Sequence, residues 1–124
     1  MPGLHLTADL YRCRCDAAWL ADAERLGQWC ARAAQAAGLE PVEHSFRGAV
    51  ASGRAPDGVS GAVVLAHGHV ALHTWPARRM ATLDVFAGDG GQAQPARALM
   101  TALVERFAPE WTEQRSLDRG DDET

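Results

Sequence analysis

The sequence predicts an α+β domain, a two-layer sandwich in which a mainly antiparallel sheet carries two helices on one face. Three observations predict it. Between Val59 and Phe86 three β-branched or alternating segments follow one another with only short turns between them, the pattern of antiparallel neighbours. Two longer segments repeat apolar residues every three or four positions, as amphipathic helices do. Two helices cover only one face of such a sheet, so the other face is left for solvent, a second subunit or a ligand.

The elements follow in order. Leu4 to Tyr11 is a strand, with Leu4, Leu6, Ala8 and Leu10 on one face. Asp16 caps a helix whose stripe is Trp19, Leu20, Ala23, Leu26, Cys30, Ala33, Ala34 and Ala37, and Gly38 stops it. Pro41 to Phe46 is a short strand, and residues 47–57 are a loop by their Gly, Ser and Pro content. Val59 to Leu65, Val70 to Trp75 and Ala81 to Phe86 are the three central strands; His67-Gly68 supplies the first turn, and Pro76 to Arg79 separates the second strand from the third. Gly88 to Gly91 is turn-like, because its glycines lack the Lys and fixed spacing of a phosphate loop. Pro95 opens a helix with Leu99, Met100, Leu103, Val104 and Phe107 on one side. Trp111 to Arg115 adds a last strand. Residues 1–115 are thus expected to form one domain, and residues 116–124 a charged, flexible tail.

Composition narrows the function classes. A chain of 124 residues supports a single core, burying roughly two-thirds of its unfolded surface. A formal charge of -4 with no basic stripe argues against nucleic acid and anionic membranes as partners, since both need a cationic surface. Nothing approaches the apolar run a membrane span needs, and residues 1–10 lack the pattern of a secretory leader, so the cytoplasm is the expected compartment. Cys13, Cys15 and Cys30 are too few and too uneven for a disulfide framework; Cys13 and Cys15 share a strand face but lack a second pair at zinc-site spacing.

The central motif runs Gly58-Val59-Ser60-Gly61, then His67-Gly68-His69 through His73-Thr74-Trp75-Pro76-Ala77, then Asp84-Val85-Phe86-Ala87-Gly88-Asp89. Upstream stand Gly3-Leu4-His5 and Asp9-Leu10-Tyr11-Arg12-Cys13. In order and spacing these segments resemble the small prokaryotic S-adenosylmethionine decarboxylases, whose pattern is Gly-x-His, Glu-Leu-Tyr-Gly-Cys, Gly-Val-Ser-Gly, Glu-Ser-His-x-x-x-His-Thr-Trp-Pro-Glu and Asp-x-Phe-Thr-Cys-Gly. The likeness covers about residues 3–107. It implies the two-layer fold, a role in polyamine and spermidine biosynthesis, S-adenosylmethionine as ligand, and assembly as dimers. It also implies a pyruvoyl cofactor, which family enzymes make by cutting themselves at the Ser of Glu-Ser-His.

The chain departs from that pattern where the chemistry is done. Gly68 stands at the position of the cleaving Ser and has no hydroxyl, and His67 replaces the Glu before it. Gly88 replaces the Cys that acts as acid, and Ala77 the Glu after Trp-Pro. Ser60 and His73, which match residues that assist processing, are retained. The expectation is therefore a chain that forms no pyruvoyl group and has no working catalytic residue. It would act as a binding or regulatory subunit, either a homodimer or a heteromer with an active relative or an aminopropyl-transfer enzyme. Expected ligand-binding residues are Ser60, His67, His69 and His73, with Phe46 as the stacking aromatic if the 47–57 loop folds back.

A second reading uses His67, His69 and His73 as a metal or repurposed catalytic cluster, with His44 as a conceivable fourth ligand; it requires a continuous strand through Gly68 to aim all three imidazoles one way. Asp84 is a lone carboxylate among apolar neighbours, without a partner carboxylate for acid–base work.

Overall fold

In the computed structural model, which describes residues 3–50 and 56–120, six strands and three helices follow in the order β1 (Gly3–Cys13), α1 (Ala18–Ala21), α2 (Ala23–Ala37), β2 (Pro41–Val50), β3 (Pro56–Leu65), β4 (Gly68–Trp75), β5 (Met80–Ala87), α3 (Ala93–Phe107) and β6 (Pro109–Arg119). One sheet contains all six strands in the order β2-β3-β4-β5-β1-β6, every pair antiparallel. The first strand thus lies inside the sheet, flanked by β5 and β6.

Side chains alternate across a strand, so one face of each strand turns to the helices. Leu4, Leu6, Ala8 and Leu10 of β1, Val59, Val63 and Leu65 of β3, Val70 and Leu72 of β4, and Ala81, Leu83, Val85 and Ala87 of β5 are buried there. Against them pack Leu26, Cys30 and Ala34 of α2 and Ala96, Leu99, Met100, Leu103 and Phe107 of α3. Leu20 and Trp19 of α1 close the end of this core. Among the described residues Thr74 is the one buried polar side chain: its Oγ1 donates to the Leu20 carbonyl at 2.7 Å and accepts from the Val59 amide at 2.8 Å, tying α1 to the sheet. The expected two-layer α+β sandwich is the observed architecture, with the helices on one face.

Several expected elements are corrected. The first helix is two: Asp22 has extended backbone (φ -96°, ψ 100°), ends α1, and caps α2 by accepting from the Arg25 amide at 3.1 Å. Asp16 still starts the first turn by accepting from Ala18, and Gly38 ends α2 at φ 103°. The expected short strand from Pro41 continues to Val50, and β3 begins at Pro56, so much of the expected 47–57 loop is a paired ladder; its centre lies outside the described residues. Backbone pairing such as Arg47 with Ser60 and Gly48 with Val59 needs no apolar pattern, which is why composition concealed it. The β3–β4 turn is Ala66-His67, while Gly68 is already paired with Leu65 and Ala87.

The last strand also extends past 115. β6 continues through Ser116, Leu117 and Asp118 to Arg119, pairing along β1 as far as Gly3. β6 is an edge strand exposed along most of its length, so its sequence shows little alternation and resembles a tail. Residues 121–124 of the expected tail lie outside the described residues.

Candidate functional site

The helix-free face of the sheet gathers most of the polar residues singled out above. Register places them in rows that cross the strands: Val64, His69, Phe86, His5 and Leu117; then Ala62, Ala71, Asp84, Thr7 and Arg115; then Ser60, His73, Thr82, Asp9 and Glu113. Four large apolar side chains on this face are open to solvent: Val64 (43%), Trp75 (37%), Trp111 (49%) and Leu117 (53%).

Two polar clusters stand out. Ser60 Oγ and His73 Nδ1 share a hydrogen bond of 2.9 Å across β3 and β4. Near the other end of the face, His5 Nε2 lies 3.2 Å from Asp84 Oδ1, and His5 Nδ1 lies 3.2 Å from an amino nitrogen of Arg119. A carboxylate only accepts and a guanidinium only donates, so His5 carries its proton on Nε2 and accepts from Arg119 through Nδ1. Phe86 is the platform beneath this group: the His5 ring meets it edge-on at 6.0 Å, His69 lies 5.5 Å away on β4, and the Arg119 guanidinium sits 5.5 Å over it. His5 lacked an assigned role in the sequence and Arg119 fell in the expected tail. Only the pairing of β6 with β1 brings them together.

The glycines at the departures from the motif lie beside this cluster. A β-carbon on Gly68 would stand 1.9 Å from the Phe86 carbonyl oxygen and 2.9 Å from its carbon, and one on Gly88 would stand 2.9 Å from the His67 carbonyl oxygen. The Gly88 amide donates to that His67 carbonyl at 2.5 Å, fastening the β3–β4 turn to the end of β5. Gly68 and Gly88 thus occupy places where backbone has closed on backbone.

The other expected site residues are dispersed. His67 is exposed in the turn, and His69 and His73 are four residues apart on one strand face, about 13 Å at a strand's rise. No group of three or more His, Cys, Asp or Glu among the described residues is placed to hold a metal ion, so the three-His cluster does not assemble. The turn at Ala66-His67 takes His67 out of the strand, and that turn is the physical reason. Ala77 lies in the short turn Pro76–Arg78 beyond the far end of β4 from Gly68. Phe46 is not beside Ser60, His69 and His73: it is half-buried on the helix face, its ring against Gly61 of β3 and Gly27 of α2, where a β-carbon would come within 2.1 and 2.8 Å of it. His44 shares that face, pairing with buried Val63. Cavities of about 540 Å³ beside Phe46 and about 490 Å³ between α2 and α3 open on the helix side, and none of Ser60, His69 or His73 lines them.

Cys13 ends β1 and Cys15 lies two residues past it, outside the strand, so the two do not share a strand face; both are free thiols, and the guanidinium of Arg79 donates to the backbone carbonyls of both, at 2.6 Å for Cys13. Burial raises the Cys13 thiol to about 11 and the Cys30 thiol to about 12, which leaves both as neutral core groups.

Comparison with known proteins follows the same lines. The family model described as S-adenosylmethionine decarboxylase matches residues 4–120. The S-adenosylmethionine decarboxylase proenzyme of Pelotomaculum thermopropionicum is 36% identical over 121 residues, covering 95% of this chain and 86% of that protein. The corresponding proenzyme of Thermococcus kodakarensis is 33% identical over 114 residues, covering 89% and 74%. The crystal structure of the adenosylmethionine decarboxylase from Aquifex aeolicus superposes with a TM-score of 0.81 at 29% identity, covering 98% of this chain and 93% of that one.

Proposed function

The chain belongs to the S-adenosylmethionine decarboxylase family, and we propose that it serves there as an uncut, non-catalytic member that binds an adenosylmethionine-type ligand on its open sheet face. The observation that carries the reading is Gly68, which offers no hydroxyl and where a β-carbon would run into the Phe86 carbonyl. A self-cleaving site needs a nucleophilic side chain at that point and space for it to move. Gly88 and Ala77, at the other departures from the family pattern, likewise bring no acid or base.

What supports a retained binding role is the face itself. Ser60 and His73 remain hydrogen bonded, and His5, Asp84 and Arg119 are held around Phe86. Four exposed apolar side chains on the same face favour coverage by a second protein surface, so the proposed assembly is a homodimer, or a heteromer with an active relative, joined through the open face. A regulatory contribution to polyamine synthesis follows from such pairing. Among the described residues no helix is long and apolar enough to cross a membrane.

Intact mass and calorimetry test the reading on the untagged full chain. A single uncut polypeptide that binds S-adenosylmethionine or its decarboxylated form at micromolar concentrations without turnover is the expected result. Two fragments with a blocked new terminus, or folded protein that takes up neither compound, would overturn it. Sedimentation at micromolar concentration gives the assembly, with Leu117→Arg expected to shift it toward monomer.

A further inference from the structure

On the reading that the open face binds an adenosylmethionine-type ligand, we infer that Arg119 selects for the ligand's carboxylate, and that His5 and Asp84 are the positioning residues that hold Arg119 for that purpose. The chain uses its arginines in different ways. Arg12 and Arg115 lie within 3.7 Å of Glu110 and Glu113, and Arg14 and Arg79 donate to backbone carbonyls. Among the described residues the charge of Arg119 meets no carboxylate, as is also true of Arg25 and Arg106 over Trp19, but its hydrogen-bond partner is a ring nitrogen of His5 on the open face. One of its five N–H donors serves His5, which leaves the others for a ligand.

That guanidinium is also held in place. His5 fixes it from one side and the Phe86 ring from another, and His5 is itself fixed by Asp84. Ordering a long side chain before the ligand arrives removes much of the entropy cost of binding, so the contact contributes more of its energy to affinity. The field favours a single negative charge, because the Asp84 carboxylate on the far side of His5 opposes a doubly charged phosphate. A carboxylate matches both the planar donor set and the charge. The site also stands beside Gly3 and Gly88, where β-carbons would come within 3.5 Å of the Phe86 ring, so their absence leaves the edge of the ring uncovered.

The test compares two ligands that differ only in that carboxylate. Calorimetric titrations of the wild-type chain, Arg119→Ala, His5→Ala and Arg32→Ala are run with S-adenosylmethionine and with decarboxylated S-adenosylmethionine. A charge-assisted contact of this kind is worth about tenfold or more in affinity. The wild type is expected to prefer the carboxylated ligand by about that factor, and Arg119→Ala to lose the preference while keeping its affinity for the decarboxylated one. His5→Ala is expected to fall between them, and Arg32→Ala, on the outer side of α2, to match wild type. Equal affinities in the wild type, or equal weakening of both ligands by Arg119→Ala, would overturn the inference while leaving the binding role intact. Folded wild-type protein that binds neither ligand would instead remove the binding role, and the inference with it.

Discussion

The Phe86 carbonyl oxygen occupies the place a β-carbon on Gly68 would take, 1.9 Å from it. Real β-carbons do not approach backbone oxygen that closely, so any side chain at position 68 must part β4 from β5 at the Gly68–Ala87 pair. Overpacking a fixed backbone costs about 1–3 kcal/mol or more. Gly68→Ala and Gly68→Ser are both expected to lower the melting temperature by several degrees, and Gly68→Ser to remain one uncut chain despite its new hydroxyl. Thermal melts and intact mass check this. A Gly68→Ser protein as stable as wild type would show that the strands have room the structure denies them.

Thr74 offers a sharper stability test, because its hydroxyl serves two buried backbone groups at once. Thr74→Val keeps the shape and strands the Val59 amide and the Leu20 carbonyl. Each unsatisfied buried group costs about 1–3 kcal/mol, so the expected loss is about 2–4 kcal/mol, with Thr74→Ser retaining most of the difference. Urea unfolding of the three proteins decides it, and a Thr74→Val loss below 1 kcal/mol would mean that water reaches these groups.

These two contacts show what was legible in the sequence and what was not. The central strands, the helix stripes and the Gly38 stop rest on local periodicity and turn chemistry, and they appear where the residues placed them. Ser60 and His73 were each singled out through the motif, and register sets them side by side. The cluster on Phe86 was not, because His5 and Arg119 are 114 positions apart and meet only through a β6 whose polar edge sequence lacks alternation. Phe46 lies away from Ser60 and His73 for a different reason. Its face is set by the β2 register, which shifts between Pro41 and Glu43, and a one-residue shift sends a side chain to the other side of the sheet. The closing of backbone around Gly68 and Gly88 is likewise a matter of tertiary approach, invisible in the residue names.

Arg12 lies in β1 with φ 52°, a left-handed conformation that costs a non-glycine residue about 1–2 kcal/mol. Its compensation is an exposed ion pair with Glu110 at 3.4 Å, worth about 0–1 kcal/mol. Arg12→Gly removes both, and the greater freedom of glycine in the unfolded chain takes back part of the gain. The net expectation is a stabilisation of roughly 0–1 kcal/mol. Arg12→Ala keeps the strain and loses the pair, so it is expected to be slightly destabilising. Denaturant midpoints that placed Arg12→Ala above Arg12→Gly would show that the left-handed backbone is not what limits this site.

The chain contains no lysine, so between about pH 9 and 10 its thiols dominate the titration. Burial holds Cys13 near 11 and Cys30 near 12, against 9.0 for a free thiol. The folded state therefore keeps protons that the unfolded chain releases. Stability is full below about pH 9 and is lost as pH rises toward the folded values, by up to about 1.4 kcal/mol per pH unit for each thiol. Cys30→Ala removes one titrating group. Its stability at pH 7 is expected to fall modestly from the lost packing, while its slope between pH 9 and 10.5 becomes shallower than that of wild type. Urea unfolding across that range measures both. Parallel slopes for the two proteins would mean that the Cys30 thiol titrates normally in the folded chain and that the α2 interface admits solvent.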